Sequence, residues 1–218
     1  MASSEVELCQ MALSHIRGGS LNDLNEPSVQ AQRCKLLYPN LRDFALAAAP
    51  WGFNRKQAAL QLRTDTVFGW ANLYQYPSDC LRINRLILNY STVTEGDVAV
   101  YRSRFAADIS PPDLTKQVEH RIFNVAGKKV IATNYPDLRI EYGVKVTDVT
   151  LFDIEFDLAL SHLLASHLAI PVVGGDKGES YQKTQLELFG ALVAEAIASS
   201  LNEDYSPPVD SELVTIRT

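Results

Sequence analysis

Arg42-Asp-Phe-Ala-Leu-Ala-Ala-Ala-Pro-Trp-Gly-Phe-Asn-Arg-Lys56 decides how this chain is organised. Residues 43–49 are rich in Ala and Leu, which favour helix and permit close packing. Pro50 ends that helix, because it lacks an amide hydrogen and its ring collides with the preceding turn. Trp51 and Phe53 follow directly, and the hydrophobic period then changes from helical to alternating. The stretch predicts a joint that pins helices against a sheet. Pro50, Trp51 and Phe53 are its structural hinge, with the two aromatic rings as core anchors. Nothing in it resembles an active-site motif.

Towards the N-terminus, Ser28 is placed to cap a long helix reaching position 49, in which Pro39 is expected to cause a kink or a split. Further upstream, Ser3 or Ser4 caps a first helix with Glu5 and Glu7 in its opening turn. Val6, Cys9, Ala12, Leu13 and Ile16 make one apolar face of it, and Gly18-Gly19 ends it. Residues 20–27 form a loop rich in turn-formers.

Beyond the joint, residues 58–62 read as a strand and residues 64–75 as a loop carrying Trp70 and Tyr74. Tyr76-Pro77-Ser78-Asp79 is a turn. Residues 80–90 are β-rich, residues 98–105 alternate, and Ser110-Pro-Pro-Asp113 is a break. A hairpin is expected from residues 121–125 and 129–133 around Ala126-Gly127-Lys128. Residues 138–146 give the clearest strand, with Leu138, Ile140, Tyr142, Val144 and Val146 facing a core. Arg139, Glu141, Lys145 and Thr147 face water. Two helices close the chain. The first runs from 151 or 152 to 169, with Phe156, Leu160, Leu163, Leu164 and Leu168 apolar. The second spans about 177–201, after a Pro/Gly connection at 170–179. The order predicts an α+β fold: a bundle of the N-terminal and C-terminal helices (1–50 and 151–201), a central antiparallel β subdomain (51–150), and a C-terminal tail (202–218).

The totals fit this picture. At 218 residues and 46% hydrophobic content, the chain is long and apolar enough to bury a core. A formal net charge of −6 disfavours gripping nucleic acid through its phosphates. Three cysteines, Cys9, Cys34 and Cys80, without CxxC spacing argue against a disulfide framework and for a reducing compartment. The first residues have neither a basic n-region nor an apolar h-region, so no signal peptide is expected. No apolar run is read as approaching the roughly 20 residues of a membrane helix, and no membrane is expected.

Candidate chemistry is sparse. Asp148, Asp153, Glu155 and Asp157 contain the carboxylates that a glycosidase or a metal would need, yet they crowd a helix start, where the dipole favours negative charge. His162 and His167 are five apart, off any one helix face, and no HExxH is present. The Gly174-Gly-Asp-Lys-Gly-Glu-Ser180 stretch lacks P-loop spacing and follows a helix, so it reads as an interhelix turn. Arg55, Lys56, Arg63, Arg82, Arg85, Arg102 and Arg104 interleave with Phe53, Phe68, Trp70, Tyr74, Tyr101 and Phe105. Such a mixture serves single-stranded nucleic acid or a protein interface, and the acidic balance favours the interface. No catalytic residue, cofactor or metal is assigned. In the tail, Glu212-Leu-Val-Thr-Ile-Arg217 alternates like a strand able to add to a neighbour's sheet edge.

Four segments in order carry a resemblance. They are Ser20-Leu-Asn-Asp-Leu-Asn-Glu-Pro-Ser28; residues 34–54, ending in Ala49-Pro-Trp-Gly-Phe-Asn54; Tyr76-Pro-Ser-Asp-Cys-Leu-Arg82; and Val130-Ile-Ala-Thr-Asn-Tyr135 through Leu138-Arg-Ile-Glu-Tyr142 to Phe152-Asp-Ile-Glu-Phe-Asp-Leu-Ala-Leu-Ser-His-Leu-Leu-Ala165. Together they resemble the head-to-tail adaptor of short-tailed bacteriophages, also called tail tubular protein A. The resemblance implies a non-enzymatic virion protein at the head–tail interface, made in the host cytoplasm. It implies a dodecameric homo-oligomeric ring, a connector between the portal protein and a tail nozzle of the tail tubular protein B kind. Genome DNA would pass through the lumen during ejection. The tail matches no part of this pattern; Tyr205, Pro207, Pro208, Leu213, Val214, Ile216 and Arg217 are expected to order on the portal or a neighbouring subunit. The rival expectations are a head-completion protein of a long-tailed phage, a virion-associated peptidoglycan hydrolase using one of the carboxylates above, and a protein that binds packaged DNA.

Overall fold

The helix that enters the quoted stretch starts where a serine caps it: Ser28 Oγ accepts from the Ala31 amide, and α2 (Val29–Ala48) follows. The computed structural model describes residues 4–88, 90–95, 98–103 and 118–203. Pro39 does not split α2, which is continuous through it. The proline lies on the exposed side, where water can replace the missing amide donor. Ahead of it, α1 (Glu5–His15) is capped by Ser4, whose hydroxyl accepts from the Glu7 amide at 3.2 Å. The left-handed residue that ends α1 is Arg17 (φ 55°), not one of the two glycines. The Gly18 amide then reaches the Leu13 carbonyl at 2.8 Å and the Arg17 amide reaches Ser14 at 3.3 Å, the two bonds of a Schellman close. Gly18 serves packing instead: a Cβ there would lie 2.9 Å from Leu13 Cδ2 and 3.0 Å from Val172 Cγ1.

A 3₁₀ turn (Val149–Leu151) precedes α3 (Ile154–Val173), which starts later than 151 and runs through Pro171. α4 (Gly175–Glu203) follows after one residue, Gly174 (φ 72°). The expected connection at 170–179 is therefore almost wholly helical. Gly178 lets α4 press onto α3, since a Cβ there would sit 3.0 Å from the Ala169 carbonyl oxygen. α3 packs against α1, α2 and α4. Leu8, Leu13, Leu46, Phe152, Phe156, Leu160 and Leu164 are among the residues of the resulting core. Contrary to the expectation that no run approaches membrane length, α3 is 20 residues long, and an 18-residue window of it has a mean hydropathy of 1.5, with 67% of that window buried inside the protein. It is apolar all round because other helices surround it.

The β part contains three antiparallel sheets among the described residues. β1 (Arg55–Ala59), β8 (Leu138–Val144) and β3 (Cys80–Leu88) form one, in the order β1-β8-β3. β2 (Asn72–Gln75), β7 (Lys128–Thr133) and β6 (Arg121–Val125) form the second, in the order β2-β7-β6. β4 (Tyr90–Glu95) and β5 (Val98–Ser103) pair in the third. β2 falls within the stretch read as a loop, because four residues are too few to show a period. The chain leaving β1 crosses between sheets. Leu60 still bonds Leu138 at 2.9 Å, whereas Gln61 accepts from Gln75 at 2.9 Å and Arg63 donates to Leu73 at 2.8 Å. Tyr74 and Ile131 of the second sheet meet Leu86, Leu138, Ile140 and Tyr142 of the first in a shared core. The β6–β7 hairpin turns at Ala126 and Gly127, with φ 50° and 77°, the two positive values of a type I′ turn. The wet face read for residues 138–146 needs correction at its centre. Glu141 is 5% exposed and accepts from Gln57 at 2.8 Å and Arg85 at 3.0 Å. Both partners stand directly opposite it on the flanking strands. The mixed α+β class stands.

Candidate functional site

The joint is built from the end of α2. A helix leaves its last four carbonyls without intrahelical partners, and no glycine cap follows Ala48 to absorb them. Side chains do so instead. The Trp51 indole donates to the Ala45 carbonyl at 2.9 Å, Asn54 Nδ2 to Leu46 at 3.1 Å, and the Arg82 guanidinium to Ala48 at 3.0 Å. The Arg82 charge also suits the negative end of the helix dipole. A 3₁₀ turn (Gly52–Asn54) places these groups. Gly143 makes room for Asn54, because a Cβ there would approach Asn54 Nδ2 to 3.3 Å.

The rings complete the contact. Trp51, 4% exposed, meets Phe156 edge-on at 5.1 Å between centroids. Phe53 packs on Phe152 at 5.5 Å and on Phe156 at 5.2 Å, and those two meet at 4.7 Å. Aromatic pairs at such angles add stabilisation beyond the area they bury. Arg55 bridges outward, donating to the Pro50 carbonyl at 3.3 Å and to the Ser200 hydroxyl of α4.

The turn before β3 locks onto the same place. Asp79 accepts from Lys56 at 2.7 Å and from the Tyr142 hydroxyl at 3.0 Å. Lys56 beside it holds the Asp79 carboxyl below the usual range. Lys145 bonds Asp43 of α2 at 2.5 Å, a second tie between sheet and bundle. The roles of Asn54, Asp79 and Arg82 were not assigned from sequence. Their polar chemistry acts on backbone carbonyls and on residues distant in the chain, which periodicity does not reveal.

Among the candidates for other chemistry, Asp148 caps the turn before α3 through the Thr150 amide at 3.0 Å. Asp157 is 2% exposed within the bundle, and Asp153 and Glu155 are exposed. The four carboxylates are therefore not one cluster, and among the described residues no group of three or more His, Cys, Asp or Glu is placed to hold a metal. His162 stacks on His15 with centroids 4.2 Å apart, and its Nδ1 lies 2.6 Å from Gln185 Oε1. His167 points to solvent. Cys9 and Cys34 are buried together, and their thiol–thiol hydrogen bond pushes Cys9 up. Of the interleaved basic residues, Arg55, Lys56, Arg63, Arg82 and Arg85 all have partners within the chain, Arg63 through Asp65 at 2.5 Å. The tail residues Tyr205, Pro207, Pro208, Leu213, Val214, Ile216 and Arg217 lie outside the described residues, as do Arg104 and Phe105.

A cleft of about 330 Å³ opens beside the joint, walled by Pro50, Trp51, Phe53 and Ala196, with Asp153 and Glu155 also lining it. No protein-family model matches the chain, and a search of curated proteins finds no match.

Proposed function

We propose that this chain is a head-to-tail adaptor subunit, a structural protein of a short-tailed bacteriophage virion. It forms a dodecameric ring between portal and tail nozzle, and genome DNA passes through the lumen without sequence-specific binding. The observation that supports this reading is where the resembling segments meet. The Ala49–Asn54 motif of the second segment caps α2, Arg82 of the third joins that cap, Asp79 of the third holds Tyr142 of the fourth, and Trp51 lies on Phe156, also of the fourth. Stretches up to about a hundred residues apart in sequence thus form one interlocked joint, which is what a shared fold requires of a shared pattern. The joint fixes a helical bundle, suited to the body of a ring, to a β part suited to contacts with other proteins. The net charge of −6 suits a channel in which phosphates must slide and not bind.

The test is to mix the purified chain with portal assemblies and image them in negative stain. Ring density beneath the portal is expected, and bare portals would overturn the reading. Deleting residues 205–218 should leave the far-UV circular dichroism unchanged and reduce attachment to filled heads; full attachment would remove the tail from the portal contact. Zymography on peptidoglycan should give no clearing, with Glu155→Gln and Asp157→Asn as controls should any appear.

A further inference from the structure

Several large hydrophobic side chains are exposed among the described residues, and one stands furthest into solvent. Phe68 is wholly exposed at the tip of the turn Val67-Phe68-Gly69-Trp70. The turn is firmly built. Trp70 donates to the Val67 carbonyl at 3.2 Å, Gly69 has φ 86°, as the third position of a type II turn demands, and Arg63 pairs with Asp65 at its base. Val67 and Trp70 pack down onto Leu73, Val130 and Ala132, on the outer face of the second sheet. Phe68 alone is left out as a prong. Arg121 and Lys128 are exposed nearby on the β6–β7 hairpin. By strand alternation they share the face of Phe123, Val125 and Val130, on which the turn rests.

The cleft beside the joint is its chemical counterpart. Pro50, Trp51, Phe53 and Ala196 line it together with Ser199, Ser200 and the carboxylates Asp153 and Glu155, and Arg55 bonds Pro50 and Ser200 at its edge. The sequence leans the same way beyond residue 50. Residues 51–150 hold thirteen Lys and Arg against ten Asp and Glu, whereas residues 151–218 hold three against eleven. An apolar prong on a sheet face that also carries Arg121 and Lys128, and a cleft lined by aromatic rings and by Asp153 and Glu155, stand on different elements of one molecule. Two such unlike surfaces, complementary to each other, define a heterologous contact that repeats from copy to copy.

We propose that the Phe68 turn of one copy seats in the Trp51–Phe53–Ala196 cleft of a second copy, with Arg121 and Lys128 facing Asp153 and Glu155. This contact deepens the ring reading and rests on it for closure.

The test replaces Phe68 with the photo-reactive analogue p-benzoylphenylalanine in the full chain. Labelled copies are mixed with ¹⁵N copies that carry no analogue, and irradiated both alone at the highest soluble concentration and bound to portal. Expected are cross-links from position 68 of one copy to residues 50–53 or 196–200 of another. They should be lost when the acceptor copy carries Ser199→Trp, which fills the cleft, and should weaken severalfold in high salt. Cross-links elsewhere, within the same chain (to residues 204–218 included), or none in either sample would overturn the contact. Rings seen on portals without the predicted cross-link would defeat this interface and leave the adaptor reading standing. The predicted cross-link in solution without rings on portals would do the reverse.

Discussion

Trp51 does two separable things. Its ring fills the space against Phe156, and its indole N–H satisfies the Ala45 carbonyl. Trp51→Ala should cost about 3–5 kcal/mol, the range for deleting a buried large aromatic ring. Trp51→Phe should keep most of the packing and lose about 1–3 kcal/mol, the penalty for one buried unpaired carbonyl. Urea unfolding of the two variants separates the contributions; equal losses would mean that the hydrogen bond outweighs the ring. Arg17 offers the opposite sign. A non-glycine residue held at φ 55° is strained, and Arg17 is exposed. Arg17→Gly should therefore stabilise the chain by about 0.5–1 kcal/mol, the strain relieved less the entropy lost. The sequence showed two glycines at this spot, and they drew the helix end one residue too far. Backbone hydrogen bonding, not composition, selects which residue turns left-handed.

At the scale of elements, α1, α3 and α4 meet at a stack of two imidazoles. His15 Nε2 lies 3.0 Å from the Ser161 hydroxyl, and His162 reaches Gln185 on α4. Burial, with His162 beside it, holds His15 below its ordinary value of 6.5. The folded chain therefore refuses a proton that the unfolded chain accepts. Stability from this source is complete above about pH 6.5 and falls as the pH drops below it. His15→Gln should flatten the decline in urea midpoint between about pH 7.5 and about pH 5.5 relative to the unmodified chain, and an unchanged slope would place the titration elsewhere. Elements differed in how far they could be read in advance. The strand 138–144 and the β6–β7 hairpin carry clear alternation and turn chemistry, and both form. Pro39 and Pro171 both lie inside continuous helices, because the packing of the rest of each helix outweighs one missing bond. Glu141 was assigned to water because alternation reports faces and not the cross-strand partners that permit a charge to be covered.

For the whole molecule, the residues that hold bundle and sheets together are few and named. Removing two of them together, Asn54→Ala with Arg82→Ala, strips the Leu46 and Ala48 carbonyls of their partners while sparing both cores. The unmodified chain should unfold in one transition whether followed by helix signal or by near-UV aromatic signal. In the double variant the two signals should separate, showing that the parts no longer melt as one. Coincident curves would show that the aromatic contacts, with the Lys145–Asp43 and Arg55–Ser200 bonds, suffice to couple them. The hinge was legible because proline and two aromatic residues lie in one short run. Its polar half was not, since Arg82 is separated in sequence from the carbonyl it caps, and neither residue is unusual alone.

The strand that leaves the joint belongs to two sheets in succession, bonding β8 through Leu60 and then β2 through Gln61 and Arg63. Mechanically, this makes residues 55–63 a tie-rod. A pull on the second sheet runs along covalent backbone to the end of α2 instead of across a packed surface. Drawn lengthwise, the tie-rod loads its hydrogen bonds to both neighbours in parallel, so they share the tension and do not peel one after another. Tension along the line from prong-bearing sheet to helical bundle is therefore carried by the backbone of residues 55–63 together with the hydrogen bonds on either side of it.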